Sequence, residues 1–417
     1  MRYILWLLIF LVFHDPLKAG GVMLYEISSA DTRLGSAGWS SRAEDPSTAF
    51  TNPAGMSRLC GRQIEFGSQA IYQHVDFYPN SSTTVSGSKG EGCKFFPSGG
   101  TFYVQPVSDN LTLGLSVLSY LGAELVYNGD WVGRYYVRKT RLQTFSCVPS
   151  AAYRINDQLS VGVGVNVMYG MFLQKSAVRN LEPGAGDGSL KVSNNRFGVG
   201  GVIGLLYEMT PCTRFGAQYL TRVHIGFKNK PEFRNIGPLL TRALADTGAG
   251  NSKINLDANI PQSLILSAYH DLDCWSLMAD IGWQQWSKFQ RISIAVTNPA
   301  DTTLSFTPKL EDCWHAALGA EFRWNEDWTF SAGIAYDSSI VKPVNMVLDF
   351  PVGHQWRYGT GFRWKLTDDL KLDFATELQW QGNLRCSQGR GPLAGVVSGN
   401  FRDMYVYFAN MNLIWAF

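Results

Sequence analysis

The residues of this chain best suited to catalysis or metal binding are six histidines and seven cysteines, and their spacing serves neither purpose. His74, His224, His270, His315 and His354 stand in no His-Glu-x-x-His pair, the arrangement that sets two imidazoles on one helical face around a metal. No Gly-x-Ser-x-Gly elbow presents a nucleophile, and no P-loop cradles phosphate. Cys60, Cys93, Cys147, Cys212, Cys274, Cys313 and Cys386 are scattered, with no Cys-x-x-Cys pair. Being odd in number, they leave at least one unpaired or bonded to another chain in an oxidising compartment. His315 with Glu321 is more simply a paired polar site than an acid–base couple. No enzyme, cofactor or metal is therefore expected. A net charge of only +2, with no basic run, gives nucleic acid no footing as a partner.

The charged residues instead share a period of two. From Trp314 to Trp324, Trp314, Ala316, Leu318, Ala320, Phe322 and Trp324 oppose His315, Glu321 and Arg323. Trp356, Tyr358, Phe362 and Trp364 oppose Arg357, Arg363 and Lys365, and Leu372, Phe374, Leu378 and Trp380 oppose Lys371, Asp373, Glu377 and Gln379. Such alternation marks strands with one greasy and one charged face. About fourteen can be read, near residues 62, 99, 111, 139, 158, 196, 213, 261, 275, 312, 328, 354, 370 and 403, an even number as bacterial membrane barrels require. Their links alternate between tight turns (Val107–Asn110, Ile155–Asp157, Thr210–Cys212, Leu272–Asp273, Asn325–Asp327, Thr367–Asp369) and long stretches such as Lys228–Asn259. Short turns on one side and long loops on the other distinguish an outer-membrane barrel from a soluble sandwich. A mean hydropathy of −0.07 fits, because alternating faces average out.

Both ends agree. Met1-Arg2, an apolar run of about eleven residues from Tyr3 to Phe13, and Leu17-Lys18-Ala19 form a secretory leader too short to span a membrane. The reading is residues 1–19 as signal peptide, 20–61 as a segment without strand alternation, and 62–417 as the barrel. At the other end Tyr405, Tyr407, Ala409, Met411, Leu413, Trp415 and Phe417 share one face of a strand that must pair with the one near Arg62 to close the wall. Both termini then face the periplasm.

Residues 20–61 are long enough to fold into the lumen. Asp45-Pro46 has the form of a helix N-cap with Pro in the first turn, and Asn52-Pro53-Ala54-Gly55 that of a turn. Here Tyr25-Glu26-Ile27-Ser28-Ser29, Arg33-Leu34-Gly35-Ser36-Ala37-Gly38 and Glu44-Asp45-Pro46-Ser47-Thr48-Ala49-Phe50-Thr51-Asn52-Pro53-Ala54-Gly55-Met56 resemble the hatch of the FadL-type long-chain fatty acid and hydrocarbon transporters. Trp283–Phe289, Asn325–Asp337 and Pro351–Arg357 are similar to late strands of that family.

The resemblance implies an all-β, 14-stranded antiparallel transmembrane barrel with an N-terminal lumenal hatch. It implies a monomer among membrane lipids, placed by the outer-membrane assembly machinery, that captures a long-chain fatty acid or other hydrophobic small molecule, binds it in the lumen and releases it sideways. Tyr25, Ile27, Asn52, Pro53, Ala54 and Gly55 would gate the hatch. By position Lys175, Arg179 and Lys309 match the family's ligand-carboxylate cations, with Arg323, Arg357 and Arg363 as alternatives; pairing of those three with Glu321, Asp373 and Glu377 is the simpler reading. The wall gap would fall in the third strand, around Gly114 to Gly122, where glycine permits a break. Read from the residues themselves, Ile236, Leu239, Leu240, Ala243 and Leu244 fall on one helical face at i, i+3, i+4, i+7, i+8, a surface for capture or for packing on neighbouring loops. A nonspecific passive porin or a structural surface antigen is the alternative function.

Overall fold

The computed structural model describes residues 23–246, 253–296, 302–306, 309–389 and 393–417. The expected leader lies outside the described residues. Fourteen antiparallel strands form the wall. They are β1 (Gln63–Pro79), β2 (Lys94–Pro106), β3 (Leu111–Leu118, resuming at Gly122–Val126), β4 (Lys139–Arg154), β5 (Leu159–Val178), β6 (Gly188–Thr210), β7 (Thr213–Leu220), β8 (Ser263–Leu272), β9 (Trp275–Gln284), β10 (Cys313–Arg323), β11 (Trp328–Asp337), β12 (Gln355–Lys365), β13 (Leu370–Gly389) and β14 (Val396–Ala416). Each pairs with its sequence neighbours, and β14 returns to β1 from Gln63↔Ala416 to Pro79↔Gly399. Phe417 N–H adds a bond to Arg62 O at 2.9 Å. Closure leaves no lipid-facing edge at this seam, which a membrane wall requires because lipid offers no hydrogen bonds.

Side-chain parity follows the alternation. Phe66, Val163, Val165, Phe197, Val199, Ile281, Trp314 and Leu318 face outward and are exposed, whereas His315, Glu321, Arg357, Asp373 and Glu377 face inward and are buried. On a soluble molecule so continuous an apolar surface would be an aggregation hazard; here it is the lipid face. Trp328 stacks on Trp364 at 5.1 Å, and Trp415 lies 5.0 Å from Phe417, building an aromatic belt at the short-turn end.

Two departures from the sequence reading concern strands. Lys228–Asn259 is not simply a loop: it holds the ends of two strands (Val223–Asn229 and Lys253–Ile260), a short strand Glu232–Arg234 and a helix at Pro238–Asp246. Val223–Asn229, Lys253–Ile260, Gln290–Val296 and Thr302–Phe306 pair into a separate sheet that continues β7 to β10 beyond a shared break. Pro261, which cannot donate to a ladder, sits at the break of β8, and a one-turn helix Trp286–Lys288 at that of β9. This sheet bends inward. A Cβ on Gly198 would lie 2.6 Å from Val223 Cγ1, and one on Gly170 2.8 Å from Ile225 Cδ1, so glycines of β5 and β6 make room for it.

Inside the wall lies the hatch: α1 (Ser29–Arg33), α2 (Thr48–Thr51) and a 3-10 helix Pro53–Arg58. Asp45 does not cap α2. Ser47 occupies that position, and the Asp45 carboxylate is drawn away by Arg42 at 3.8 Å and Arg363 at 3.1 Å. The cap with Pro behind it occurs one motif later, where Asn52 Oδ1 accepts from Ala54 N–H at 3.1 Å ahead of Pro53.

Candidate functional site: hatch, wall break and outer sheet

Local chemistry shapes the hatch before the wall clamps it. Ser28 Oγ accepts from Asp31 N–H at 3.3 Å and donates to Asp31 Oδ2 at 2.7 Å, closing the first turn of α1. That turn aims Arg33 at the wall: its guanidinium meets Glu321 at 2.8 Å, Asp373 at 2.6 Å and Ser331 Oγ at 2.9 Å. Arg357 gathers Glu26, Asp337 at 2.9 Å and Glu377 at 3.4 Å, and Arg363 holds Asp373 at 2.8 Å. Arg357 and Arg363 thus pair as expected, but Arg323 binds Asp271 rather than Glu321. His315 also departs from expectation. It bonds Asp337 at 2.7 Å and faces Ser36 Oγ at 3.0 Å, while Glu321 serves Arg33. Burial raises two of the hatch carboxylates, and their partners then separate them: Asp31 ends above the ordinary range because burial outweighs Arg42, with nearby Asp45 adding to the rise, whereas Asp45 is held below it by Arg42 and Arg363.

The proposed gating residues all lie in this buried interface. Tyr25 stacks on His315 at 4.4 Å with Arg357 5.1 Å from its ring, and Ile27 is buried under β2. Asn52 Nδ2 donates to Ser40 O at 2.6 Å and to Leu205 O of β6 at 2.9 Å, tying hatch to wall. Close approach needs wall glycines. A Cβ on Gly162 would fall 2.2 Å from Ala54 N, on Gly216 1.8 Å from Ser40 O, on Gly333 1.8 Å from Leu34 O and on Gly359 2.1 Å from Thr32 O. Gly55 is itself packed on Thr48 and Ala43. Arg33 and Arg42 are fully buried hubs, a role that no local feature of the sequence marks. Among the buried inward groups of β10 to β13 the carboxylates Glu321, Asp337, Asp373 and Glu377 outnumber the guanidinium of Arg357, but the sequence shows no such surplus, because Arg323, Arg363, Lys365 and Lys371 share those strands.

Among the described residues the ladder is also interrupted between β2 and β3. Their ladder runs from Pro106↔Thr112 to Gly100↔Leu118 and stops. Ser119-Tyr120-Leu121 then turns into the barrel, where Tyr120 is 3% exposed, packs 4.9 Å from Phe50 and accepts from Asn166 Nδ2 at 2.8 Å. When the strand resumes at Gly122–Val126 it pairs with β4 alone, while Lys94–Gly99 of β2 pairs with β1 alone. Behind the break the first described hatch residues close in: Met23 bridges Leu121, and Leu24 N–H donates to Tyr120 O at 2.9 Å. A cavity of about 260 Å³ occupies the break, lined by Leu24, Ile71, Phe96, Pro97, Gly122 and Phe145. The two glycines offered for the gap part company here. Gly122 lines the cavity, but Gly114 stays in unbroken ladder with Val104 and Ser150, and its inner face seats Met56 of the hatch.

Above the hatch the lumen is apolar: Trp131 stacks on Tyr127 at 4.0 Å and meets Phe77 edge-on at 6.0 Å, with Phe401 5.0 Å from Phe77. The outer helix α3 (Pro238–Asp246) buries Leu240 and exposes Leu239 at 53%, with Ala243 and Leu244 half-buried; Ile236 precedes it. The three cations matched by position do not converge. Lys175 has the outward parity of Val163 and Val165 and stands between Lys139 and Lys191, Arg179 packs on the Tyr135 ring at 4.9 Å, and Lys309 is exposed near Lys342.

Comparison with known proteins places this architecture. The model of the family described as outer membrane protein transport protein (OMPP1/FadL/TodX) matches residues 12–401. The long-chain fatty acid transport protein of Escherichia coli K12 is 24% identical over 408 residues, covering 89% of this chain and 90% of its own. Outer membrane protein P1 of Haemophilus influenzae is 24% identical over 403 residues, covering 85% of each. Among solved structures, a FadL homologue of Pseudomonas aeruginosa superposes with a TM-score of 0.85 at 20% identity, covering 95% of this chain and 100% of its own. The toluene transporter TbuX of Ralstonia pickettii reaches 0.66 at 19% identity, covering 94% and 99%. A closed fourteen-stranded wall, an internal hatch and a family match spanning most of the residues lead to one assignment: the chain belongs to the FadL/TodX family of outer-membrane transport proteins.

Proposed function

We propose that this barrel takes up long-chain fatty acids, or apolar compounds of similar character, by capture at the outer sheet, passage through the apolar lumen, hatch rearrangement and lateral release through the break between β2 and β3. The observation that carries the reading is the break itself, an apolar cavity in the wall with the start of the hatch as its inner face. Its motive is physical. Leaving an apolar pocket for water costs about 25 cal/mol per Å² exposed, and a sideways exit keeps the ligand out of water. The relatives named for long-chain fatty acid and toluene transport make both substrate classes reasonable, and the apolar lumen fits either. The relatives whose names state a role are transporters, in keeping with a role without catalysis.

Gly122 provides the test. A Cβ there meets nothing closer than Leu142 O at 4.0 Å, so Gly122→Phe fits the wall and fills the cavity. Uptake of radiolabelled fatty acid by cells expressing this variant is expected to fall at least tenfold, with the barrel still folded by heat-modifiable migration on gels. Uptake at the wild-type rate would refute lateral release.

A further inference from the structure

Glu124 stands at the outer end of the wall break and is gripped from both sides. Lys139 of β4, the strand that Gly122–Val126 pairs with, reaches Glu124 Oε1 at 2.7 Å. Lys94 of β2, across the break, reaches the same oxygen at 3.0 Å. No backbone ladder joins β2 to Gly122–Val126, so among the described residues this ion pair spans a stretch of wall that hydrogen bonding does not. Glu124 is 5% exposed, yet it also lines the cavity beside Phe96, Pro97 and Phe145.

Two ammonium groups converging on one carboxylate oxygen, with an apolar cavity adjoining, make a cradle for an amphiphile that has an acid head and a greasy tail. We propose that Lys94 and Lys139 form an exit subsite for the carboxylate of a long-chain acid, which Glu124 fills when no ligand is present. The inference rests on the lateral-exit reading above. The vertical order of the residues supports it. Phe95 and Phe145, exposed at 62% and 53%, lie one position and a few positions further into the lipid-facing band than Lys94 and Lys139, with Arg141 and Gln143 between. A bound acid would then hold its head at the polar boundary and its tail toward the acyl region, the orientation it adopts in a leaflet. Ligand arrival displaces Glu124 from Lys94, and the tie across the break is lost as the ligand takes its place. A neutral hydrocarbon gains nothing from the lysines and leaves the tie in place, so this site sorts acids from hydrocarbons.

The test compares a fluorescent long-chain fatty acid with its matched fatty alcohol in equilibrium binding to the full-length detergent-purified barrel. Lys94→Met and Lys139→Met keep the aliphatic stem and remove the charge. Each is expected to weaken acid binding about tenfold or more, as for loss of a charge-assisted hydrogen bond, while alcohol binding is unchanged. Glu124→Gln removes the competing carboxylate and should tighten acid binding. Unchanged acid binding in both lysine variants, or equal weakening of acid and alcohol, overturns the subsite and leaves lateral exit standing. A wild-type barrel that binds neither probe overturns both.

Discussion

Arg33→Met isolates the electrostatic seat of the hatch. The guanidinium is fully buried against Glu321 and Asp373, whose side chains are 4% and 1% exposed, so solvent screens neither contact. Removing one partner of such a pair costs roughly 3–5 kcal/mol, mainly because a buried charge is left alone. Asp373 is not left alone: Arg363 holds it through Nε at 2.8 Å and Nη2 at 2.8 Å. Glu321 is left with Ser331 Oγ at 3.3 Å. One orphaned carboxylate rather than two puts the cost near the lower bound, about 3 kcal/mol, or roughly a 150-fold rise in the population with α1 lifted from the wall. Hydrogen exchange of the purified barrel should register this as about a hundredfold loss of protection across Ser29–Phe50, with the β11–β12 ladder unchanged. Adding Glu321→Gln should recover about tenfold, since a neutral amide leaves no buried charge. Unchanged hatch protection in Arg33→Met, or equal loss throughout the wall, would refute the reasoning.

Gly333→Ala should unseat the same segment sterically, because its Cβ would lie 1.8 Å from Leu34 O; overpacking of about 1–3 kcal/mol predicts roughly tenfold faster exchange around Leu34. Gly389→Ala, whose Cβ meets Val396 at an ordinary 3.5 Å, should leave it unaltered. On the outer helix, Leu239→Glu changes an exposed side chain and should lower initial uptake severalfold at low ligand concentration without changing thermal stability, as initial-rate curves would show.

Much of the wall was legible because its physics is local. Trp314, Leu318, Tyr358 and Leu378 alternate with His315, Arg357 and Glu377 since a pleated strand turns successive side chains to opposite faces, and turn residues such as Asn325-Glu326-Asp327 end strands wherever they occur. Strand count, closure and lipid face follow from such patterns. Asp45 and Asn52 both precede Pro and are equivalent as caps in the sequence, and only the wall, where Arg363 claims Asp45, leaves the cap to Asn52.

The site was less legible because it is made of distant partners. Nothing local tells that Gly114 seats Met56 while Gly122, a few residues on, lines an opening, since both are glycines in one strand and the difference is what stands opposite. Lys175 illustrates the same limit: its position in the chain matched, but strand parity turns it away from the lumen. Alternation and turns, set by interactions between near neighbours, let the amino-acid sequence by itself determine a closed membrane barrel, while the hatch inside it followed from the family resemblance of residues 25–56. Which cations neutralise which carboxylates, where the hatch touches and where the wall parts depend on residues tens to hundreds of positions apart meeting in space, and only the tertiary structure decided them.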